Sequence, residues 1–448
     1  MRGSEQIHIA LVKLSQADTL PSATVLPGLA RTLIHLGRLG MPVCVVVEPE
    51  DLYGTGESLS CPPTLLRDKY MTITTRLTEA IESQGGRAVP ILGDVLAQIE
   101  HPIQTIHKPS NSVARIVSTV EQSILAAPST MSHTGRALLY SLMKRSVIPV
   151  LAPVAGGINP ALMSLSADGT LYRICKELSN PDDKSSPSKI SIERVIVIDP
   201  VGGLPARERR GGSHLYINLQ QEYNAMVHEI CTQLLSRGIR PAPPETNLHL
   251  RNLVLLKHCL ATLGASSSAL ITTPTIASAS PSESAPQSLI HNLLTDKPLV
   301  SPSLPARRLT TPKSKTTLLR HGLPIFVYTD LESDIGDERP LNFSRLIALI
   351  EDSFGRRLDV DHYWDRIKDK TAAVIVAGEY EGAAIITRET PPHRSDNEWI
   401  PYLDKFAVST KSQGSGSVAD IVFNVMTSMF SKDLIWRSRR NNPVNKWV

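Results

Sequence analysis

The 448-residue sequence predicts an α/β protein in two parts: a three-layer unit on a parallel sheet, then a smaller α+β module. Three observations carry this. Apolar runs alternate with helix-spaced segments through the first half. A break rich in Ser, Thr and Pro follows. A hairpin, a strand, a glycine loop and a helix then lead to the chain's end.

The first apolar run is IHIALVKL at 7–14. Residues 26–39 show helical spacing at Leu29, Leu33, Ile34 and Leu36, and Gly40 stands where a C-cap belongs. VCVVV at 43–47 is continuously apolar, as in a strand buried on both faces. Residues 69–83 repeat the helix and 88–92 the strand, and 147–154, 194–200 and 214–218 are further strands. Apolar strands separated by helices read as βαβ units with helices on both faces of one sheet.

The break comprises 264–286 and 301–315, which lack the bulky side chains that offset ordering entropy. Within it, SALITTP has strand character. The expected boundaries are 1–290 for the first domain, 291–315 for a linker and 316–448 for the second domain. In the latter, 323–329, 373–377, 383–387 and 402–409 read as strands, with 343–354 and 418–430 as helices. The EYEG tetrad ends in the glycine of a tight hairpin, and LIWRSRR reads as a last strand.

Composition narrows the function classes. A hydrophobic fraction of 41% with 20% charged residues describes a globular chain, and a net charge of +4 is too small for a general nucleic-acid footprint. Five cysteines (Cys44, Cys61, Cys175, Cys231, Cys259), scattered and without CxxC pairing, indicate reduced thiols and no zinc site. Histidines and carboxylates show no metal spacing. No run reaches the roughly 18 consecutive apolar residues of a membrane span.

The chemistry points to KSQGSGSVAD at 411–420. A strand entering a glycine-rich loop that opens a helix presents unpaired N–H groups at the helix's positive end, a cradle for phosphate or pyrophosphate. Gly414 and Gly416 let backbone approach a ligand closely, and Lys411 adds charge. An ordinary turn is the competing reading. The loop is neither a Walker A loop nor a dinucleotide fingerprint.

The segment 402–447, with SFGRRLD at 353–359 and GEYEGAAIITRE at 378–389, closely resembles the acetyltransferase domain of N-acetylglutamate synthase. Lys411-x-x-Gly414-x-Gly416 resembles the loop that GNAT-fold enzymes wrap around the pyrophosphate of acetyl-CoA. The upstream half resembles, more weakly, the amino-acid-kinase domain of the same family. The resemblance implies acetyl transfer from acetyl-CoA, a co-substrate, to L-glutamate, opening arginine biosynthesis. It implies coenzyme contacts at Phe406, Ala407, Val408, Lys411, Gln413, Gly414, Ser415, Gly416 and Ser417, with a strand amide at 406–408 polarising the thioester.

For the substrate it implies Arg356, Lys405, Arg437, Arg439 and Asn442. Each has a plain alternative: helix-dipole complementation for Arg356, protection of a sheet edge for Lys405, a solvated basic strand for Arg437 and Arg439, a turn before Pro443 for Asn442. Alternation along a strand would bring both arginines to one face, suited to bidentate pairing with a dicarboxylate. No catalytic acid or base is assigned. The family continues with a tyrosine after the tryptophan matching Trp447, whereas this sequence reads Val448 and ends, so an incomplete second domain is expected. A non-catalytic regulatory or assembly subunit is the competing function.

The first domain is expected to have lost kinase chemistry. Kinases of that fold open with Lys-x-Gly-Gly, and here Lys13 precedes Leu14-Ser15-Gln16. The resemblance implies a regulatory domain with L-arginine as inhibitor, a homo-oligomer, association with acetylglutamate kinase, and the mitochondrial matrix. No Arg-rich arm precedes Ile7.

Overall fold

The computed structural model describes residues 6–50, 63–93, 95–98, 112–125, 129–156, 162–179, 190–206, 212–235, 244–264, 266–280, 288–296, 315–329, 341–390, 399–413 and 418–438. They belong to two compact units, the first reaching to His321 and the second beginning at Gly322.

The first unit begins with β1 (Ile7–Leu14), α1 (Val25–Arg38), β2 (Val43–Val47), α2 (Pro63–Ser83), β3 (Ala88–Ile91) and β4 (Leu96–Gln98). There follow α3 (Ser112–Leu125), β5 (Ser129–Met131), α4 (His133–Lys144), β6 (Ile148–Leu151), β7 (Val154–Gly156), β8 (Leu162–Ser164) and α5 (Ala167–Leu178). It closes with β9 (Ile190–Ile198), β10 (Tyr216–Asn218), α6 (Leu219–Leu235), α7 (Pro244–Thr262), β11 (Ser268–Thr272), α8 (Pro274–Ser278), α9 (Ser288–Thr295) and β12 (Thr317–Arg320).

Eight of these strands form one sheet in the order β10-β12-β11-β9-β1-β2-β6-β3, parallel throughout except between β11 and β12. A smaller sheet runs β5-β4-β7-β8. Ile9 and Leu11 of β1 and Cys44 and Val46 of β2 join a core with α3 to α7. Their alternate neighbours Ala10, Val12, Val43, Val45 and Val47 are equally buried, on the opposite face. Two cores served by one strand explain why VCVVV shows no alternation. Gly28 lets α1 approach α8, because a Cβ there would run into the Ser278 carbonyl.

The expected boundary needs correction. Thr317–Arg320, assigned by sequence to the second domain, pairs with β10 and β11 and completes the first sheet. Similarly, α9 occupies the start of the expected linker.

The second unit comprises β13 (Ile325–Tyr328), α10 (Phe343–Phe354), α11 (Val360–Ile367), β14 (Thr371–Ala377), β15 (Gly382–Glu389), β16 (Ile400–Val408), α12 (Val418–Met429) and β17 (Ile435–Trp436). The sheet runs β13-β14-β15-β16-β17, antiparallel until the parallel pair β16·β17. Leu346, Leu349, Ile350, Tyr363 and Ile367 from α10 and α11 cover one face. Val422, Phe423 and Met426 of α12 cover the other. Asn342 caps α10 by accepting from Arg345 N at 3.0 Å, and Gly355 ends it at φ +64°, where a Cβ would be strained.

The hairpin differs from expectation. Its left-handed residues are Gly378 and Tyr380, while Gly382 already lies in β15. Gly382 is a packing requirement: a Cβ there would sit 2.6 Å from Val418 Cγ1 on α12.

Candidate functional site

The end of β16 is shaped by a bulge. Ile386 pairs with Leu403 and Ile385 with Lys405, leaving Asp404 as an extra residue on β16. Leu403 and Phe406 pack with the α12 core, whereas Asp404 and Lys405 both reach α11. Asp404 Oδ2 accepts from Tyr363 Oη at 2.8 Å and from Lys405 Nζ at 3.2 Å; Oδ1 accepts from Arg366 at 2.7 Å. The Lys405 ammonium lies 4.9 Å from the centre of the Tyr363 ring. Burial would push the Asp404 carboxyl up, but hydrogen bonds from Arg366 and Tyr363, with Lys405 nearby, hold it below the ordinary range. A carboxylate so depressed is a poor general base. Burial, then the Asp404 charge, drive the Tyr363 phenol upward.

The bulge also limits β17. Among the described residues that strand pairs at Tyr402–Ile435 and Leu403–Trp436, and the next step would meet the displaced Asp404. Arg437 therefore lies exposed beyond the strand, not on it as the sequence suggested.

Ser409 N–H donates to Glu381 O at 2.9 Å, which fixes the alternation of amides. Ala407 turns its amide toward β15, while Phe406 and Val408 turn theirs toward the β17 side. The Val408 amide donates to Ser353 Oγ at 3.1 Å. Of the three amides expected to face a thioester, Ala407's is thus oriented into the sheet and Val408's is held by α10. Phe406's is oriented away from β15.

Beyond β16 the chain turns at 409–413. Ser412 and Gln413 amides donate to Ser409 O, and Gln413 Nε2 returns to Val408 O at 3.1 Å, so this side chain caps the strand. Asp352 accepts from Thr410 N at 2.8 Å and Thr410 Oγ1 at 2.9 Å, and these bonds hold its exposed carboxyl below the ordinary range. Lys411 is exposed on this turn. Gly414, Ser415, Gly416 and Ser417, like Arg439, Asn442, Trp447 and Val448, lie outside the described residues. Arg356 is exposed just after the α10 C-cap. Sequence reasoning missed Asp404, Tyr363 and Arg366; a carboxylate beside a lysine inside a strand is the signal that could have found them.

A second constellation lies in the first unit, at the carboxyl ends of β1, β2 and β9. Lys13 Nζ is 2.5 Å from Asp168 and 3.1 Å from Glu48, and Arg251 also pairs with Asp168. All four side chains are at most 5% exposed. Ser15 Oγ and Asn252 Nδ2 donate to Asp199 at 3.3 and 3.0 Å. Burial would push the Asp168 carboxyl up, yet Arg251 and Lys13 hold it down at about 2. Lys13 titrates above its usual range: its two carboxylates outweigh burial. Its ammonium thus sits among carboxylates, and Gln16, where a kinase loop would have glycine, adopts φ +50°. The sequence flagged Lys13 by its missing glycines; its place in a buried apolar strand also demanded partners.

The comparisons bear on both units. Residues 331–448 match the family profile described as the N-acetyltransferase of N-acetylglutamate synthase. The mitochondrial amino-acid acetyltransferase of Aspergillus oryzae is 34% identical over 99% of this chain and 70% of its own length. That of Aspergillus terreus is 33% identical over 99% of this chain and 74% of its own. N-acetylglutamate synthase from Neisseria gonorrhoeae, complexed with coenzyme A and N-acetyl-glutamate, superposes with TM-score 0.51. That match spans 100% of this chain and 87% of the other at 14% identity, and shows a shared fold. The fold class expected from sequence is the one found, an α/β unit on a largely parallel sheet followed by a smaller α+β unit. Identity of this extent means that the chain belongs to the amino-acid acetyltransferase family and is an acyltransferase of that kind.

Proposed function

We propose that the chain transfers the acetyl group of acetyl-CoA to the α-amino group of L-glutamate, giving N-acetyl-L-glutamate for arginine biosynthesis. The observation that carries this is the succession of β16, the turn at 409–413 and α12, lying inside the stretch 331–448 that matches the N-acetyltransferase of N-acetylglutamate synthase. A thioester carbonyl seated against β16 would accept from a strand N–H as negative charge develops on oxygen. The amine nitrogen bonds to the acetyl carbon, the C–S bond breaks, and the amine's proton passes through solvent or a protein group to the departing thiolate.

Coenzyme is assigned to the edge of Phe406, Ala407 and Val408 and to Lys411, Gln413, Gly414, Ser415, Gly416 and Ser417, with the pyrophosphate at the α12 N-terminus. Gln413 serves this site by fixing the end of β16. Glutamate is assigned to Arg356, Lys405, Arg437, Arg439 and Asn442, cations matching two carboxylates. The first unit is assigned a regulatory role, with L-arginine as inhibitor, and the protein a homo-oligomeric state and association with acetylglutamate kinase. The relatives' mitochondrial names support a matrix location.

Purified chain given acetyl-CoA and L-glutamate should release free thiol and form N-acetyl-L-glutamate. Glutamine should substitute poorly, since it lacks one carboxylate. L-Arginine should slow the rate. Absence of thiol release with glutamate would overturn the reading.

A further inference from the structure

We infer that Asp404 is a positioning residue for glutamate recognition, acting through Lys405 as the fixed end of a carboxylate–ammonium pair. This rests on the reading of Lys405 as a substrate-binding cation. In a regular strand adjacent side chains point to opposite faces, so a carboxylate next to Lys405 could not reach its ammonium from the same side. The bulge removes that alternation at this one step and puts both side chains against α11.

Asp404 is anchored independently of Lys405. Its side chain is 5% exposed, and Tyr363 Oη and Arg366 Nη2, both from α11, hold its two oxygens at 2.8 and 2.7 Å. Lys405 is 24% exposed, and one of its three N–H donors goes to Asp404 at 3.2 Å. The Tyr363 ring lies beneath the ammonium at 4.9 Å, a second constraint on the same group. A lysine head on a four-carbon stem is ordinarily mobile and loses rotamer freedom when it binds. Here that freedom is already restricted before any ligand arrives, by a carboxylate that leaves two N–H donors for another acceptor. The group that sets glutamate affinity is thus the carboxylate on the bulge as much as the lysine beside it.

The test is a mutant cycle in the full chain, with glutamate KM, kcat and acetyl-CoA affinity measured for each variant. Asp404→Asn should raise glutamate KM by about tenfold with kcat within about twofold and acetyl-CoA affinity unchanged. Added to Lys405→Ala, Asp404→Asn should have no further effect on KM, because it acts through the group already removed. Tyr363→Phe keeps the ring but deletes one hydrogen bond to Asp404; it should raise KM in the same direction by less, and it decides the matter should Asp404→Asn not fold. An unchanged glutamate KM in Asp404→Asn or in Tyr363→Phe would overturn the inference. So would additive effects in the double variant, or equal loss of both ligands. A normal glutamate KM in Lys405→Ala would instead remove the assignment of Lys405 on which the inference stands, a result separate from all of these.

Discussion

Ser353 Oγ accepts the Val408 amide at 3.1 Å, tying the last turn of α10 to the last residue of β16. With Asp352 holding Thr410 next to it, the end of one helix sets the exit of the strand that leads into the glycine loop. Ser353→Ala should cost about 1 kcal/mol of stability in urea unfolding, the ordinary net worth of such a bond. It should weaken acetyl-CoA more than glutamate, as read by titrating each ligand separately. Unchanged unfolding with unchanged coenzyme affinity would refute the coupling.

Coenzyme and substrate groups should separate by mutation. If Gly416 brings its N–H close to a pyrophosphate, Gly416→Val should weaken acetyl-CoA about tenfold, about 1.4 kcal/mol, and spare glutamate. Arg437→Ala should do the reverse, costing about 2 kcal/mol of glutamate affinity while coenzyme binding persists. Calorimetry on each variant reads this directly, and equal loss of both ligands in both variants would mean the assignments are wrong.

Gly382 offers a purely structural test. A Cβ placed 2.6 Å from Val418 Cγ1 must displace α12 or force that side chain off its rotamer. Gly382→Ala should therefore destabilise by about 1–3 kcal/mol in guanidinium unfolding. A midpoint equal to wild type would show that α12 yields freely.

Asp168 should govern the acid limb of stability. Its folded pKa of about 2 lies below the ordinary 3.8, so its contribution is present above that ordinary value and is lost as pH falls towards about 2. Asp168→Asn should lose this part of the slope. It should also be less stable near neutrality by about 3–5 kcal/mol, because Lys13 and Arg251 lose the carboxylate they share. Stability profiles of the two proteins that run parallel below about pH 4 would contradict the assignment.

What the sequence made legible follows from how local each determinant is. Helix α10 was bounded correctly because its apolar spacing and Gly355 lie within its own segment. Strand β2 is readable as a continuous apolar run and β1 as a mostly apolar one. By contrast, β12 was misplaced because its partner Ser268–Thr272 lies far away in the chain, and nothing in TLLR records that pairing. Gly382 was taken for a turn residue because a glycine needed for close packing looks the same in sequence as one needed for positive φ. The bulge was invisible, since YLDKFAV alternates well enough for a plain strand, and with it went the short β17 and the position of Arg437. Lys405 is reached through the family pattern; its constraint by Asp404 and the α11 residue Tyr363 is not legible in the sequence.

The Lys13–Glu48–Asp168–Arg251 cluster has a consequence for how such a chain can change over generations. Loss of any one member strands a buried opposite charge, although replacing all four together by apolar groups need not be harmful. A lineage that alters one codon at a time meets a fitness valley in every direction. The constellation therefore preserves itself. It can outlast whatever ligand first selected it, and its presence in a descendant then records ancestry without testifying to present use.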